Sequence, residues 1–125
     1  MIEERLTYKI RGAIFEVFKY YGPGPFESVY EGALAVELKR LGLKATRQLP
    51  IAVAYKGEPL DLGFRLDLLV EDAVVIEIKS VAELQDVHKK QLLTYLKLTN
   101  KRVGLLVNFN SAHLKDSTSL IRIVN

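Results

Sequence analysis

The residues best placed to do chemistry are two acids and a lysine in a short, otherwise apolar stretch. Arg65-Leu-Asp-Leu-Leu-Val70 and Ala73-Val-Val-Ile-Glu-Ile-Lys-Ser80 read as two strands joined by a tight Glu71-Asp72 turn. Asp67 stands in the first and Glu77-x-Lys79 in the second. Side chains alternate along a strand, so Glu77 and Lys79 share a face with Val75, about 6–7 Å apart, while Val74, Ile76 and Ile78 take the other. Asp67 falls in register with Asp61, Gly63 and Arg65, opposite Leu62, Phe64, Leu66 and Leu68. Charges among apolar neighbours are costly unless they are paired or hold a cation. Two converging carboxylates suit a hard divalent ion such as Mg²⁺. Such an ion lowers the pKa of water and stabilises charge on a phosphate oxygen. A neighbouring lysine can orient or deprotonate that water, or offset the developing charge. A plain cross-strand Asp–Lys or Glu–Lys pair would account for the same residues without any chemistry.

The segment that follows adds polar groups near these acids. A helix is predicted from about Leu84 to Leu98, and on its wheel His88, Gln91 and Tyr95 fall together at spacings of three and four. Leu84, Val87, Leu92 and Leu98 flank them on the inward stripe, and Lys89, Lys90 and Lys97 take the solvent side. Singly, His88 and Tyr95 also read as core residues with satisfied polar tips. Glu27 is the remaining acid. It follows the Gly22-Pro-Gly-Pro25 turn and borders an apolar helical arc, although a glutamate at a helix start is also simply favoured by the dipole.

Other segments must position these groups. Leu6, Ile10, Ala13, Ile14, Val17 and Phe18 form the stripe of an amphipathic helix over 3–20. Two glycines and two prolines then stop it. A second helix is predicted from about Phe26 to Leu41, closed by Gly42 as the residue past its C-cap. Strands are predicted over Gln48–Tyr55, about Leu60–Val70, Ala73–Ser80, Lys101–Phe109 around the apolar run Val103–Val107, and Leu120–Val124. The order ααβββαββ is an antiparallel meander followed by a crossover helix into a further strand. It predicts an α/β fold with a mixed sheet and helices on its faces.

Composition sets the outer limits. The 125 residues suffice for one domain with a single core, so the whole chain 1–125 is expected to be one unit. With 49% hydrophobic and 26% charged residues it has an ordinary globular balance. No apolar run nears the ~18 residues of a membrane span, and the acidic, helical start does not resemble a signal peptide. The lack of cysteine excludes disulfides and thiolate metal sites and fits a cytoplasmic location. A net charge of +3 permits a nucleic-acid partner. The basic residues Lys39, Arg40, Lys44, Arg47, Lys89, Lys90, Lys101 and Arg102 read as a solvated rim that could also meet a phosphate backbone.

Gly24-Pro-Phe-Glu27-Ser-Val-Tyr30 resembles the signature of the GxxExxY family. Gly63-Phe-Arg-Leu-Asp67, Val75-Ile-Glu-Ile-Lys79, Val87-His-Lys-Lys-Gln91-Leu-Leu-Thr-Tyr95 and Val103-Gly-Leu-Leu-Val-Asn-Phe109 follow the same pattern, over nearly the whole chain. That family is similar to the PD-(D/E)xK nuclease superfamily. The resemblance implies a restriction-endonuclease-like αβββαβ core with a mixed central β-sheet flanked by helices, here with an extra N-terminal helix and a short C-terminal strand. It implies Asp67 and Glu77 as metal ligands, helped by the Ile78 carbonyl, and Lys79 as the catalytic lysine. Glu27 matches the helical acid that completes the site. Gln91 and Tyr95 match a Gln-x-x-x-Tyr element that positions metal or nucleic acid. Leu66 stands where the family's proline would precede the aspartate. The expected function is a nuclease using Mg²⁺ or Mn²⁺ to hydrolyse phosphodiester bonds of DNA or RNA. The alternative is a binding or assembly module that keeps the fold and the metal site without cutting. A homodimer is a further version, in which a second copy helps so short a chain grip a duplex.

Overall fold

The computed structural model describes residues 2–125. Helix α1 (Ile2–Tyr21) buries Leu6, Ile10, Ala13, Ile14 and Val17 along one stripe. Gly22 ends it in a left-handed conformation (φ 68°), its N–H donating to the Phe18 carbonyl at 2.7 Å. Helix α2 (Glu27–Arg40) buries Tyr30, Glu31, Leu34 and Leu38. Its end is a Schellman arrangement. The Leu43 N–H donates to the Leu38 carbonyl at 3.0 Å and the Gly42 N–H to that of Lys39 at 2.9 Å.

The strands are β1 (Ala45–Pro50), β2 (Val53–Tyr55), β3 (Glu58–Leu60), β4 (Arg65–Val70), β5 (Val74–Lys79), β6 (Val103–Asn108) and β7 (Leu120–Val124), with α3 (Asp86–Thr99) between β5 and β6. Five of them form one sheet in the order β1-β4-β5-β6-β7. All neighbours are antiparallel except β5 and β6, which run parallel because α3 carries the chain across. The sheet is therefore mixed. The expected αβββαβ core is present as α2, β1, β4, β5, α3 and β6, with α1 and β7 outside it.

The two faces of this sheet carry separate cores. On one, α1 and α2 pack on Leu68, Val70, Val74, Ile76, Ile78, Leu105 and Val107. On the other, Leu92, Tyr95 and Leu96 of α3 pack on Leu66, Leu69, Val75 and Leu106. A β-carbon at Gly104 would lie 2.9 Å from Leu92 Cδ1, so the glycine lets α3 settle closely on β6. No described helix is long and apolar enough to cross a membrane.

Three sequence expectations need correction. The strands predicted over Gln48–Tyr55 and Leu60–Val70 each break in two. Beyond Pro50 and Arg65 the chain leaves the main sheet and forms a separate β2–β3 ribbon, turned at Lys56 (φ 48°) and Gly57 (φ 83°). Two positive φ values in a two-residue loop match the right-handed twist of a hairpin. Second, Leu66 and Leu68 do not share a face. Leu66 joins the core under α3 and Leu68 the core under α1 and α2, so strict alternation fails at Asp67. Third, Val87 and Leu98 are exposed, and the buried stripe of α3 runs through Leu92, Tyr95 and Leu96.

Candidate functional site

Alternation fails at Asp67 because β4 and β5 separate there. Their ladder is regular from Val70↔Val74 to Leu68↔Ile76 and stops. Beyond that point carboxylates take the place of backbone carbonyls. Asp67 Oδ2 accepts the Ile78 N–H at 2.8 Å, and Glu77 Oε1 accepts the Asp67 N–H at 3.3 Å. On its other side β5 stays paired with β6 as far as Lys79↔Asn108. The two acids thus fill a fork between strands that have parted.

Glu77 is buried, and its carboxyl is pushed from the ordinary 4.5 up to about 9. Desolvation is the main cause, followed by the Asp67 carboxylate; the bond from the Asp67 N–H and then the Lys79 ammonium act in the opposite sense. The donors gathered here are all hard oxygen atoms. The set of Asp67, Glu77 and the Ile78 carbonyl at the strand end fits Mg²⁺ or Mn²⁺ by donor type. Among the described residues, however, no three His, Asp or Glu side chains are grouped to hold a metal ion.

Helix α3 overhangs the fork. Tyr95 is buried, and its hydroxyl accepts a hydrogen bond from Gln91 Nε2 at 3.2 Å. Burial raises the Tyr95 pKa, and the charges of Glu77 and Asp67 push the same way. The Phe64 ring lies 6.0 Å from that of Tyr95 and walls one side. His88 does not join this group. Its Nδ1 accepts the Gln85 N–H at 2.8 Å as half of a capping box at the start of α3.

Glu27 arrives from the other direction, held by its own motif. The Tyr30 hydroxyl donates to the Gly22 carbonyl at 2.7 Å, and its ring stacks on Phe109 with centroids 4.4 Å apart. A β-carbon on Gly24 would come within 2.5 Å of that hydroxyl, so the turn needs glycine there. The Gly24 N–H donates to the Phe109 carbonyl at 3.3 Å, and the Phe109 N–H to the Lys79 carbonyl at 2.9 Å. Glycine, glutamate and tyrosine at this spacing therefore tie the start of α2 to the end of β5. There Glu27 Oε2 accepts the Ser80 N–H at 3.2 Å. It stands at the edge of the fork and does not form a three-acid group with Asp67 and Glu77.

Three participants escaped the sequence reading. Glu31, one turn after Glu27, is buried and paired with Arg47 (Oε2 to Nη2 3.1 Å). Gln48 Nε2 donates to Glu31 Oε1 at 2.6 Å and reaches Asp67 Oδ1 at 3.4 Å. The available signal was an acid inside the apolar arc of α2, next to Tyr30. A groove between α1 and α2, lined in part by Tyr20, Tyr21, Val36 and Arg40, includes none of the acids of the fork.

The family model of the PD-(D/E)XK nuclease superfamily matches residues 4–122. No curated protein and no solved structure matches the chain.

Proposed function

The chain belongs to the PD-(D/E)xK nuclease superfamily, and on that premise we propose that it is a metal-dependent nuclease of the GxxExxY type acting on DNA or RNA. The observation that carries this reading is the fork, where Asp67 Oδ2 accepts the Ile78 N–H and Glu77 Oε1 accepts the Asp67 N–H, so that both carboxylates stand at the parting of β4 and β5. Asp67, Glu77 and the Ile78 carbonyl would hold Mg²⁺ or Mn²⁺, with Glu27 reached at the rim. The ion would supply Lewis-acid stabilisation of charge on the scissile phosphate and make water a stronger acid. Lys79 follows Glu77 on the same face of β5 and orients or deprotonates the attacking water. Gln91 and Tyr95 present an amide and a phenol above the acids and orient the phosphate or the lysine. The buried wall of Leu66, Val75 and Leu92 beneath them lowers the local dielectric and strengthens each of these contacts. Residues 1–125 act as one domain in the cytoplasm, as a monomer or as a pair of copies along a duplex.

A second reading is favoured by one observation: among the described residues no third His, Asp or Glu is grouped with Asp67 and Glu77 to hold a metal ion. On that reading the chain binds nucleic acid or a partner and does not cut. The deciding experiment is a cleavage assay with purified wild-type and Lys79→Ala protein on labelled single-stranded, duplex and branched DNA and on RNA, with Mg²⁺, Mn²⁺ or chelator. The nuclease reading expects metal-dependent cutting that falls about 10²–10⁴-fold in the variant. No cutting by folded wild-type protein on any substrate would leave the binding module.

A further inference from the structure

Gln48 is the residue of the main sheet whose backbone is hardest to explain by the fold alone. It sits in the middle of β1 with φ 51°, a left-handed value that an L residue in a strand rarely adopts. The β1–β4 register pairs Arg47 with Leu68 and Leu49 with Leu66. Gln48 therefore stands directly across from Asp67 at the step where β4 also parts from β5. Its unusual backbone directs the side-chain amide between two acids, 2.6 Å from Glu31 Oε1 and 3.4 Å from Asp67 Oδ1. Carboxylates accept hydrogen bonds and do not donate them, so only the NH₂ end of the amide can face both. Glu31 is itself fixed, being buried in α2 and clasped by Arg47 Nε at 3.2 Å and Nη2 at 3.1 Å. The chain of contacts runs from an ion pair of a buried glutamate and a half-exposed arginine through one amide to the acid of the fork. Local strain of this kind persists where surrounding structure enforces it, often beside a site.

We infer that Gln48 is a positioning residue: anchored on the Glu31–Arg47 pair, it fixes the Asp67 carboxylate against the Ile78 N–H and so presets one of the two ligands of the fork. The inference rests on the nuclease reading for its purpose but not for its geometry. Asp67 Oδ2 is occupied by the Ile78 N–H at 2.8 Å and Oδ1 by Gln48, so the amide sets the plane of the carboxylate. Glu31 acts only through Gln48.

The test compares wild-type, Gln48→Met, Glu31→Gln and the double variant by amide hydrogen exchange without metal and by calorimetric titration with Mn²⁺. Gln48→Met keeps the side-chain length and removes both donors. The expected result is faster exchange of the Ile78 amide in Gln48→Met, roughly 3- to 10-fold, with Val75 and Val107 unchanged. Mn²⁺ affinity falls by about 10- to 100-fold, as for other groups that orient metal ligands. The double variant then behaves as Gln48→Met alone, because Glu31 has no other route to Asp67. Unchanged Ile78 exchange and Mn²⁺ affinity in a folded Gln48→Met protein would overturn the inference and leave the metal site standing. Faster exchange spread evenly over β4, β5 and β6 would also overturn it, since that marks general destabilisation. Absence of Mn²⁺ binding by the wild-type protein removes the metal reading instead, and the Ile78 exchange still decides the role of Gln48.

Discussion

The β4–β5 hairpin has two halves of opposite character. In the closed half Leu68, Leu69, Val70, Val74, Val75 and Ile76 pair in an unbroken ladder, all of them buried and apolar. In the open half, which starts at the next residue on each strand, the ladder is gone, and side-chain carboxylates accept the amides that carbonyls would otherwise take. Stability is concentrated in the first and given up in the second. A buried acid pair beside an interrupted ladder weakens a fold, yet it leaves backbone and carboxylate oxygens available to a ligand. Even the turn of the closed half is reinforced. Glu71 and Asp72 both adopt positive φ (52° and 54°), held by the Lys44 N–H donating to Glu71 Oε2 at 2.7 Å and by a Lys101–Asp72 ion pair at 3.0 Å.

The contrast breaks most visibly if substitutions in the two halves have the same effect on folding. Ile76 is fully buried between Leu68 on β4 and Leu105 on β6. Ile76→Ala is expected to lower unfolding free energy by about 2–5 kcal/mol, measured by urea denaturation. Glu77→Gln, one residue on, should instead leave metal-free stability at pH 7 close to wild type, because an amide resembles the protonated acid that burial already favours.

The acid pair also makes a pH prediction. With its carboxyl raised from 4.5 to about 9, folded protein holds a proton that unfolded chain has released throughout that interval. Stability from this group is therefore complete below pH 4.5 and is lost as pH rises towards 9. Thermal melts of metal-free wild-type protein should fall over that window, and melts of Glu77→Gln should fall less. Mg²⁺ should raise the melting temperature of wild type more at pH 8.5 than at pH 6, since binding must displace the proton. A flat wild-type profile, or an equal fall in Glu77→Gln, would remove the electrostatic half of the comparison.

How much of this was legible in the chain depends on the range of the interaction. The helices, the parallel β6 and the final strand follow from local periodicity and from Gly22, Gly42 and the Pro–Gly turn. The sharing of a face by Val75 and Glu77 followed from alternation alone. Alternation then misled at Asp67, because the parting of β4 and β5 is a tertiary event with no apolar-pattern signature. It misled again at Pro50–Val53, where Ile51 and Val53 continue a strand-like run while the chain changes partner. Gly63, with φ 71°, lies between β3 and β4, where the chain returns to the main sheet. Glu31 stands next to Tyr30 on the buried side of α2. Its partners Arg47 and Gln48 lie 16 and 17 residues away and are brought to it only when β1 docks beside α2. His88 shows the reverse error, in which a side chain that shares a face with Gln91 and Tyr95 spends itself on capping its own helix.

The smallest predicted effect asks whether the open half is held from outside. Its far side is covered by the Gly22–Pro25 turn, which contacts Phe109 through Gly24 and is pinned by the Tyr30 hydroxyl. Tyr30→Phe keeps the ring stacked on Phe109 and deletes only the bond to the Gly22 carbonyl, so it should cost about 0.5–1.5 kcal/mol. Local exchange should rise at Gly24 and Ser80, whose amides depend on the turn and on Glu27, while Val70 and Val74 keep their protection. Gly24→Ala pushes a methyl group against the same hydroxyl and should act on the same amides more strongly. If either change loosened the closed half as well, the hairpin would be one cooperative unit, and the open end would owe its shape to β4 and β5 alone.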